Sequence, residues 1–315
     1  MPFPGPRGKV ARVTFSGILT AMVTPFDADG TLAEEPTAML ARHLLANGSD
    51  GLVLTGTTGE ASTLTDDEKA RVWDIGVEVA RAERPGAPVI AGAGSNDTRH
   101  AVALTARAAA AGVDAALVVA PYYNRPNRRG VLAHYEAVAN STDLPIVVYN
   151  IPARTGIDMP NDLLAELGRI ENVVAVKQAR ADDLAPIDGL DLLAGNDDML
   201  ADVLDLGGTG GILVASHLVA REMRRIVDEP AERHAIEAAL SPLYDALGVA
   251  PACVTVKAAL NLLGHDAGGV RLPMVEASAD ELAAVRAALE SHGVLKDGGG
   301  LAPPGPPAAP VRGRF

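Results

Sequence analysis

A chain of 315 residues, 48% of them hydrophobic, can bury one large core, which excludes a disordered chain and a miniature scaffold. The 27 Lys and Arg stand against 40 Asp and Glu, and the resulting formal charge of −13 repels polyanions, so nucleic acid is not an expected partner. A small anionic substrate would need a local cation inside a pocket to overcome that field.

Aromatic residues make up only 3%, while Ala, Val, Leu and Gly dominate, as a tightly wound parallel α/β core requires. In chain order, short apolar runs fall at 17–25, 51–56, 88–94, 115–121, 145–150, 173–179, 190–196 and 210–215. Most are continuously apolar rather than alternating, which marks strands buried on both faces and therefore parallel pairing. Amphipathic stretches lie between them. The one at 65–82 opens on Thr65 with Glu68 in the capping-box position, and the one at 97–112 opens on Asp97 and stops at Gly112. This β–α repetition predicts an α/β fold, a (β/α)8 TIM barrel over 16–228, whose site is built from loops at the C-terminal ends of the strands. A doubly wound open sheet is the runner-up, weakened because no GxGxxG or P-loop turn follows the first strand. Three further helices at 231–247, 251–263 and 278–292 predict a C-terminal helical appendage over 229–296. The Pro/Gly-rich ends, 1–15 and 297–315, read as disordered tails.

Cys253 is the only cysteine, so the chain has no internal disulfide and no thiolate cluster; it reads as a small buried residue. The seven histidines show no HxH or HExxH spacing, and no metal site is expected. No apolar run reaches the length of a membrane span, and MPFPGPRGKVARV lacks the apolar stretch of a secretory signal, so the expected location is the cytoplasm.

Polar residues just after the strands are where a barrel does chemistry. Lys177 lies inside the apolar run VVAVKQA, where burial disfavours the ammonium and favours a neutral amine, a nucleophile toward carbonyls. Its bland alternative is a buried lysine paired with a carboxylate. In YNIPARTG, Arg154 offers a planar fork to a substrate carboxylate or merely a surface ion pair, and Tyr149 a proton relay or mouth packing. GTTGE at 56–60 supplies two hydroxyls, Thr57 and Thr58, between glycines that permit tight turns. Tyr122 and Tyr123 form an exposed pair suited to an interface or a relay. Asp197 and Asp198 open a predicted helix after strand seven and read as its N-cap.

GTTGE, PYYN, YNIPARTG and VAVKQA, following strands two, four, five and six in that order, together resemble the dihydrodipicolinate synthase and N-acetylneuraminate lyase family of class I aldolases, over residues 16 to about 295. The resemblance implies Lys177 as the Schiff-base lysine and a proton relay of Tyr149, Thr58 and Tyr123, with Tyr123 reaching into a neighbouring subunit's site. It implies that Thr57 and Thr58 hold a pyruvyl carboxylate, that Arg154 binds the aldehyde's carboxylate, and that Gly195 and Ile212 line the pocket through backbone. No cofactor beyond the covalent Schiff base is implied, and the assembly implied is a homotetramer, a dimer of dimers. Arg154, and GTTGE rather than a Ser-containing version, resemble the synthase branch, which condenses pyruvate with L-aspartate 4-semialdehyde to 4-hydroxy-tetrahydrodipicolinate on the way to diaminopimelate and lysine. Two alternatives compete: a pyruvate-dependent aldolase cleaving a sugar-derived 2-oxo acid such as N-acetylneuraminate, and a non-catalytic barrel that binds a small acid.

Gln178 and Asn196 stand where the family commonly has acids, which leads us to expect altered electrostatics around the lysine, and PACVTVKAAL (251–260) departs from the family's Asn-Pro run. At positions resembling the family's lysine-inhibition site the chain carries Ala61, Asp66, Lys69 and His100, with Asn96 and Tyr122 retained. Lys69 would repel a lysine ligand and His100 replaces an acid, so lysine inhibition is expected to be weak or absent.

Overall fold

The structure, a computed structural model, describes residues 13–295. Its eight strands, β1 (Gly17–Ala21), β2 (Gly51–Leu54), β3 (Val89–Gly92), β4 (Ala115–Val119), β5 (Ile146–Asn150), β6 (Val173–Gln178), β7 (Asp191–Ala194) and β8 (Gly210–Leu213), form a closed parallel barrel in sequence order. Closure is made where β1 pairs with β8, Gly17 against Gly210. Side chains would keep these two strands apart at that seam: a Cβ on Gly210 would collide with the Gly17 carbonyl.

The surrounding helices are α1 (Glu34–Ala46), α2 (Asp66–Glu83), α3 (Thr98–Ala110), α4 (Arg128–Ala139), the one-turn α5 (Pro152–Thr155), α6 (Asn161–Leu167), α7 (Leu200–Asp205) and α8 (Ser216–Asp228). Beyond the barrel, α9 (Arg233–Gly248), α10 (Ala252–Leu262) and α11 (Ala279–Ser291) pack together as the C-terminal appendage. The sequence signals for helix ends hold. Thr65 and Glu68 form a reciprocal capping box on α2, as do Ser278 and Glu281 on α11, and the Asp97 carboxylate accepts from Arg99 N at the start of α3.

Every candidate strand is present, but most ladders stop before the apolar run does. Met22 and Val23 follow β1 and are fully buried although they lie outside the strand. Both belong to the core cluster shared with the helices, so hydrophobicity alone overruns the strand ends. Alternate residues divide the core in two. Ile18, Leu54, Val148 and Val176 face the helices, whereas Leu19, Val53, Val147 and Ala175 fill the barrel interior. Phe15 corrects the expected N-terminal boundary: only 2% exposed, it belongs to the interior cluster rather than to a tail. The rest of that tail, through residue 12, and the tail at 297–315 lie outside the described residues.

Candidate active site

At the C-terminal ends of the strands the barrel opens into a cavity of about 500 Å3. Its walls include Thr57 and Thr58 after β2, Tyr149 on β5, Arg154 on α5, Lys177 on β6, Gly195 after β7 and Val214 after β8. Pro251, Ala252 and Cys253, at the start of α10, close one side.

The register places Tyr149 directly beside Lys177 on the neighbouring strand. Val147 and Tyr149 on β5 and Ala175 on β6 face the interior, and by the same alternation Lys177 enters the cavity beside Tyr149, its Nζ 4.3 Å from the centre of the Tyr149 ring. Lys177 is 5% exposed and makes no ion pair among the described residues, which removes the bland reading of a lysine paired with a carboxylate. The same alternation turns Asn150 and Gln178 outward. There the Asn150 amide donates to Gln178 Oε1 at 3.0 Å and to Met159 O at 3.0 Å. Gln178 therefore ties β6 to β5 on the outer face of the barrel, on the side away from the Lys177 amine.

The loop carrying the two threonines is held at several points. Glu60 N donates to Thr57 O, Ala61 N donates to Gly56 O, and the Thr24 hydroxyl donates to Gly59 O at 2.8 Å. Thr58 is buried and Thr57 exposed. Neither hydroxyl is bonded to another protein group among the described residues, and both face the cavity. Arg154 is also unpaired among the described residues, so the surface ion pair is not what it forms; it stands at the mouth on a turn that Pro152 opens and Gly156, at φ +70°, ends.

Two of the expected residues stand apart. Tyr123 is 89% exposed, with φ of +73°, and does not line the cavity of its own chain, while Tyr122 does. Ile212 is fully buried in the barrel interior with Tyr149, and Val214 supplies the β8 wall in its place.

Asp197 is not the helix cap that its position suggests. Its carboxylate reaches across to the turn between β8 and α8, accepting from Val214 N at 2.9 Å and from Ala215 N at 3.1 Å. Burial pushes it up to about 6, against the opposing pull of those two bonds and of the Lys177 charge. No local pattern could have revealed a bond to residues 17 and 18 positions away. Asn196 lines the cavity with its amide turned toward Met199 Sδ. Beyond the threonine loop the cavity continues to Lys69, Ser95 and His100. His100 is held between Ser95 Oγ at 3.1 Å and Asp66 at 3.0 Å, and burial draws the Lys69 ammonium down, only partly offset by Asp66 at 4.0 Å.

A buried lysine that no carboxylate contacts, over a tyrosine, in one cavity with free hydroxyls and an unpaired arginine at the rim, suits imine chemistry on a small keto acid. The model of the Dihydrodipicolinate synthetase family matches residues 14–292. The chain belongs to that family. The 4-hydroxy-tetrahydrodipicolinate synthase of Heliobacterium modesticaldum is 42% identical over 292 residues, covering 89% of this chain and 96% of the relative. The dihydrodipicolinate synthase of Cyanidioschyzon merolae, solved with lysine bound, superposes with a TM-score of 0.85 at 36% identity over 89% of this chain and 99% of its own. The Acinetobacter baumannii enzyme in complex with pyruvate does so with a TM-score of 0.85 at 32% identity, covering 90% of this chain and 100% of that one. The family match contains all four of the motifs that form the cavity wall, and also the whole of the C-terminal appendage up to α11.

Proposed function

We propose that the chain is a Schiff-base lyase that condenses pyruvate with L-aspartate 4-semialdehyde, the 4-hydroxy-tetrahydrodipicolinate synthase reaction. The observation that carries this reading is the buried Lys177, bonded to no carboxylate among the described residues and lying against Tyr149, in the cavity that also holds Thr57, Thr58 and Arg154. The Lys177 amine attacks the C2 carbonyl of pyruvate. The carbinolamine loses water to an iminium, and loss of a methyl proton gives an enamine whose carbon adds to the aldehyde. The amino group of the adduct then displaces Lys177 by transimination, closing the ring and freeing the enzyme.

Thr57 and Thr58 hold the pyruvate carboxylate. Tyr149 and Thr58 pass protons to and from the carbinolamine, with Tyr123 of a neighbouring subunit completing the relay; its near-complete exposure supports that reach. Arg154 receives the carboxylate of the aldehyde substrate at the mouth, a fork-to-carboxylate contact. Arg154, and the iminium once it forms at Lys177, supply the local positive charge that an anionic substrate needs in a protein of net charge −13. The iminium is itself the electron sink, so the reading requires no metal or organic cofactor. A homotetramer of two tight dimers and a cytoplasmic location belong to the same proposal. No single helix among the described residues is long and apolar enough to cross a membrane.

The test is a coupled reductase assay on pyruvate plus aspartate semialdehyde, with N-acetylneuraminate and 2-keto-3-deoxygluconate cleavage run on the same preparation. We expect condensation that vanishes in Lys177→Ala, and an Arg154→Ala variant that still traps pyruvate under borohydride but has kcat/KM for the aldehyde lowered by about 10²-fold. Cleavage of a sugar acid without condensation would retain the Schiff base and discard the role of Arg154. Pyruvate binding that survives Lys177→Ala, with no turnover in the parent, would favour a non-catalytic barrel.

A further inference from the structure

The threonine loop is bracketed by two residues that are not glycine yet adopt left-handed backbone, Thr55 at φ +53° and Glu60 at φ +55°. Such conformations persist only where side-chain contacts enforce them. Thr55 is fixed from the barrel side: its hydroxyl accepts from Trp73 Nε1 on α2 at 2.7 Å and donates to Gly92 O at 3.2 Å. Glu60 is fixed from the appendage. Its Oε1 takes the Lys257 ammonium of α10 at 2.7 Å and its Oε2 accepts from Arg271 N at 3.0 Å, with both partners of the ion pair 2% exposed at the side chain.

Lys257 is in turn over-determined. Its Nζ donates to Gly269 O at 2.6 Å and lies 4.1 Å from the centre of the Phe26 ring, which Arg271 shares at 4.1 Å. Arg271 then grips Glu68, the capping-box residue of α2, through two bonds of 2.5 and 3.0 Å, and also donates to Thr63 O and Gly30 O. The segment is thus clamped at Glu60 and at Glu68 by residues 197 and 203 positions away, and the cavity-facing threonines lie just before the first clamp.

We infer that Lys257 is a positioning residue for the reaction, acting through Glu60 to hold Thr57 and Thr58 at the distance from Lys177 that a keto-acid carboxylate requires. The C-terminal appendage is then part of the catalytic apparatus without touching substrate. The inference rests on the proposed use of the threonines to bind pyruvate.

The experiment compares Glu60→Gln, Lys257→Met and the double variant Glu60→Gln/Lys257→Met with the parent. It reads melting temperature, borohydride trapping of pyruvate on Lys177 against pyruvate concentration, and KM for each substrate. Each single variant is expected to lower kcat/KM for pyruvate by on the order of 10- to 100-fold while leaving KM for the aldehyde unchanged. The double variant, which buries no charge at this point, regains the parent's melting temperature but not its use of pyruvate. Recovery of both together would reduce the pair to a structural role and overturn the inference. So would single variants that trap pyruvate as the parent does. Should Lys257→Met fail to fold, Glu60→Gln carries the test, since it is isosteric and keeps the acceptor for Arg271 N. A parent that pyruvate never labels would sink the proposed function and this inference with it, whereas a labelled parent with equally labelled variants sinks the inference alone.

Discussion

Lys177 and Lys257 are buried to nearly the same degree and lie at nearly the same distance from an aromatic ring, 4.3 Å from Tyr149 and 4.1 Å from Phe26. They differ in what else is within reach. Lys257 has a carboxylate, a carbonyl and a neighbouring backbone amide that completes the carboxylate's bonding; Lys177 has a cavity. Burial draws the Lys257 ammonium down and Glu60 pushes back, so the lysine is held for structure. Without such a partner, the equivalent group in the barrel is open to reaction. In an apolar interior the partner, not the burial, decides whether a lysine is a rivet or a reagent.

The sharpest way to break that comparison is to make the same substitution twice. Lys257→Met leaves the Glu60 carboxyl buried and without its counter-charge, and should destabilise the fold by about 3–5 kcal/mol. Lys177→Met orphans no carboxylate bonded to it, and its stability should stay within about 1.5 kcal/mol of the parent while activity is lost. Urea denaturation of the two variants at neutral pH measures both. Equal losses of stability would mean that Lys177 has a structural partner after all.

Much of this contrast was legible in the sequence, and the reason for the remainder is physical. Eight β–α units, the capping box at Thr65 and the motifs after β2, β4, β5 and β6 are local patterns, so periodicity and spacing expose them. Lys177 stands out because it interrupts an apolar strand. Lys257 interrupts an apolar helix, ACVTVKAALNL, and is the same kind of signal, but its partner Glu60 is 197 positions away and no local rule joins them. Asp197 misled for the same reason: its neighbours say helix cap, and its bonds go to the turn after β8. Gln178 looked like a neighbour of the reactive lysine in sequence, and strand alternation put it on the opposite face.

The histidines extend the contrast to acid stability. His134 and His217 are buried, each 3% exposed, and have no carboxylate in bonding contact; burial lowers each to about 4. His217 accepts from Val23 N at Nε2 while its Nδ1 donates to Val214 O, and His134 Nε2 has no partner among the described residues. Their native pKa values lie below the ordinary histidine value, so the unfolded chain binds more protons in the intervening window. The contribution is absent above about pH 6.5 and grows as pH falls toward 4, each histidine adding about 1.4 kcal/mol of lost stability per pH unit. Asp197, raised to about 6, opposes one of them over the lower part of that range. The parent should therefore lose stability between pH 7 and pH 4.5, and His134→Leu should flatten the slope by roughly 1 kcal/mol per pH unit. A slope unchanged in that variant would show that His134 takes up its proton without opening the fold.

Lys69 is the intermediate case and yields the smallest expected effect. It is 7% exposed, its nearest carboxylate is Asp66 at 4.0 Å, and Asp66 is shared with His100 at 3.0 Å. The ammonium is therefore neither riveted like Lys257 nor clear of any carboxylate contact like Lys177, and it faces the extension of the cavity that reaches Tyr122. A second lysine brought there would meet a like charge in a partly desolvated site, with the one nearby carboxylate already engaged. L-Lysine at millimolar concentration should leave the initial rate of condensation unchanged. If Lys69 and His100 are what exclude it, the double variant Lys69→Gln/His100→Glu, which removes one cation and supplies an acid, should acquire inhibition in the same assay. A submillimolar inhibition constant for the parent would show instead that Lys69 swings aside, and that a 4.0 Å contact with Asp66 does not hold it in place.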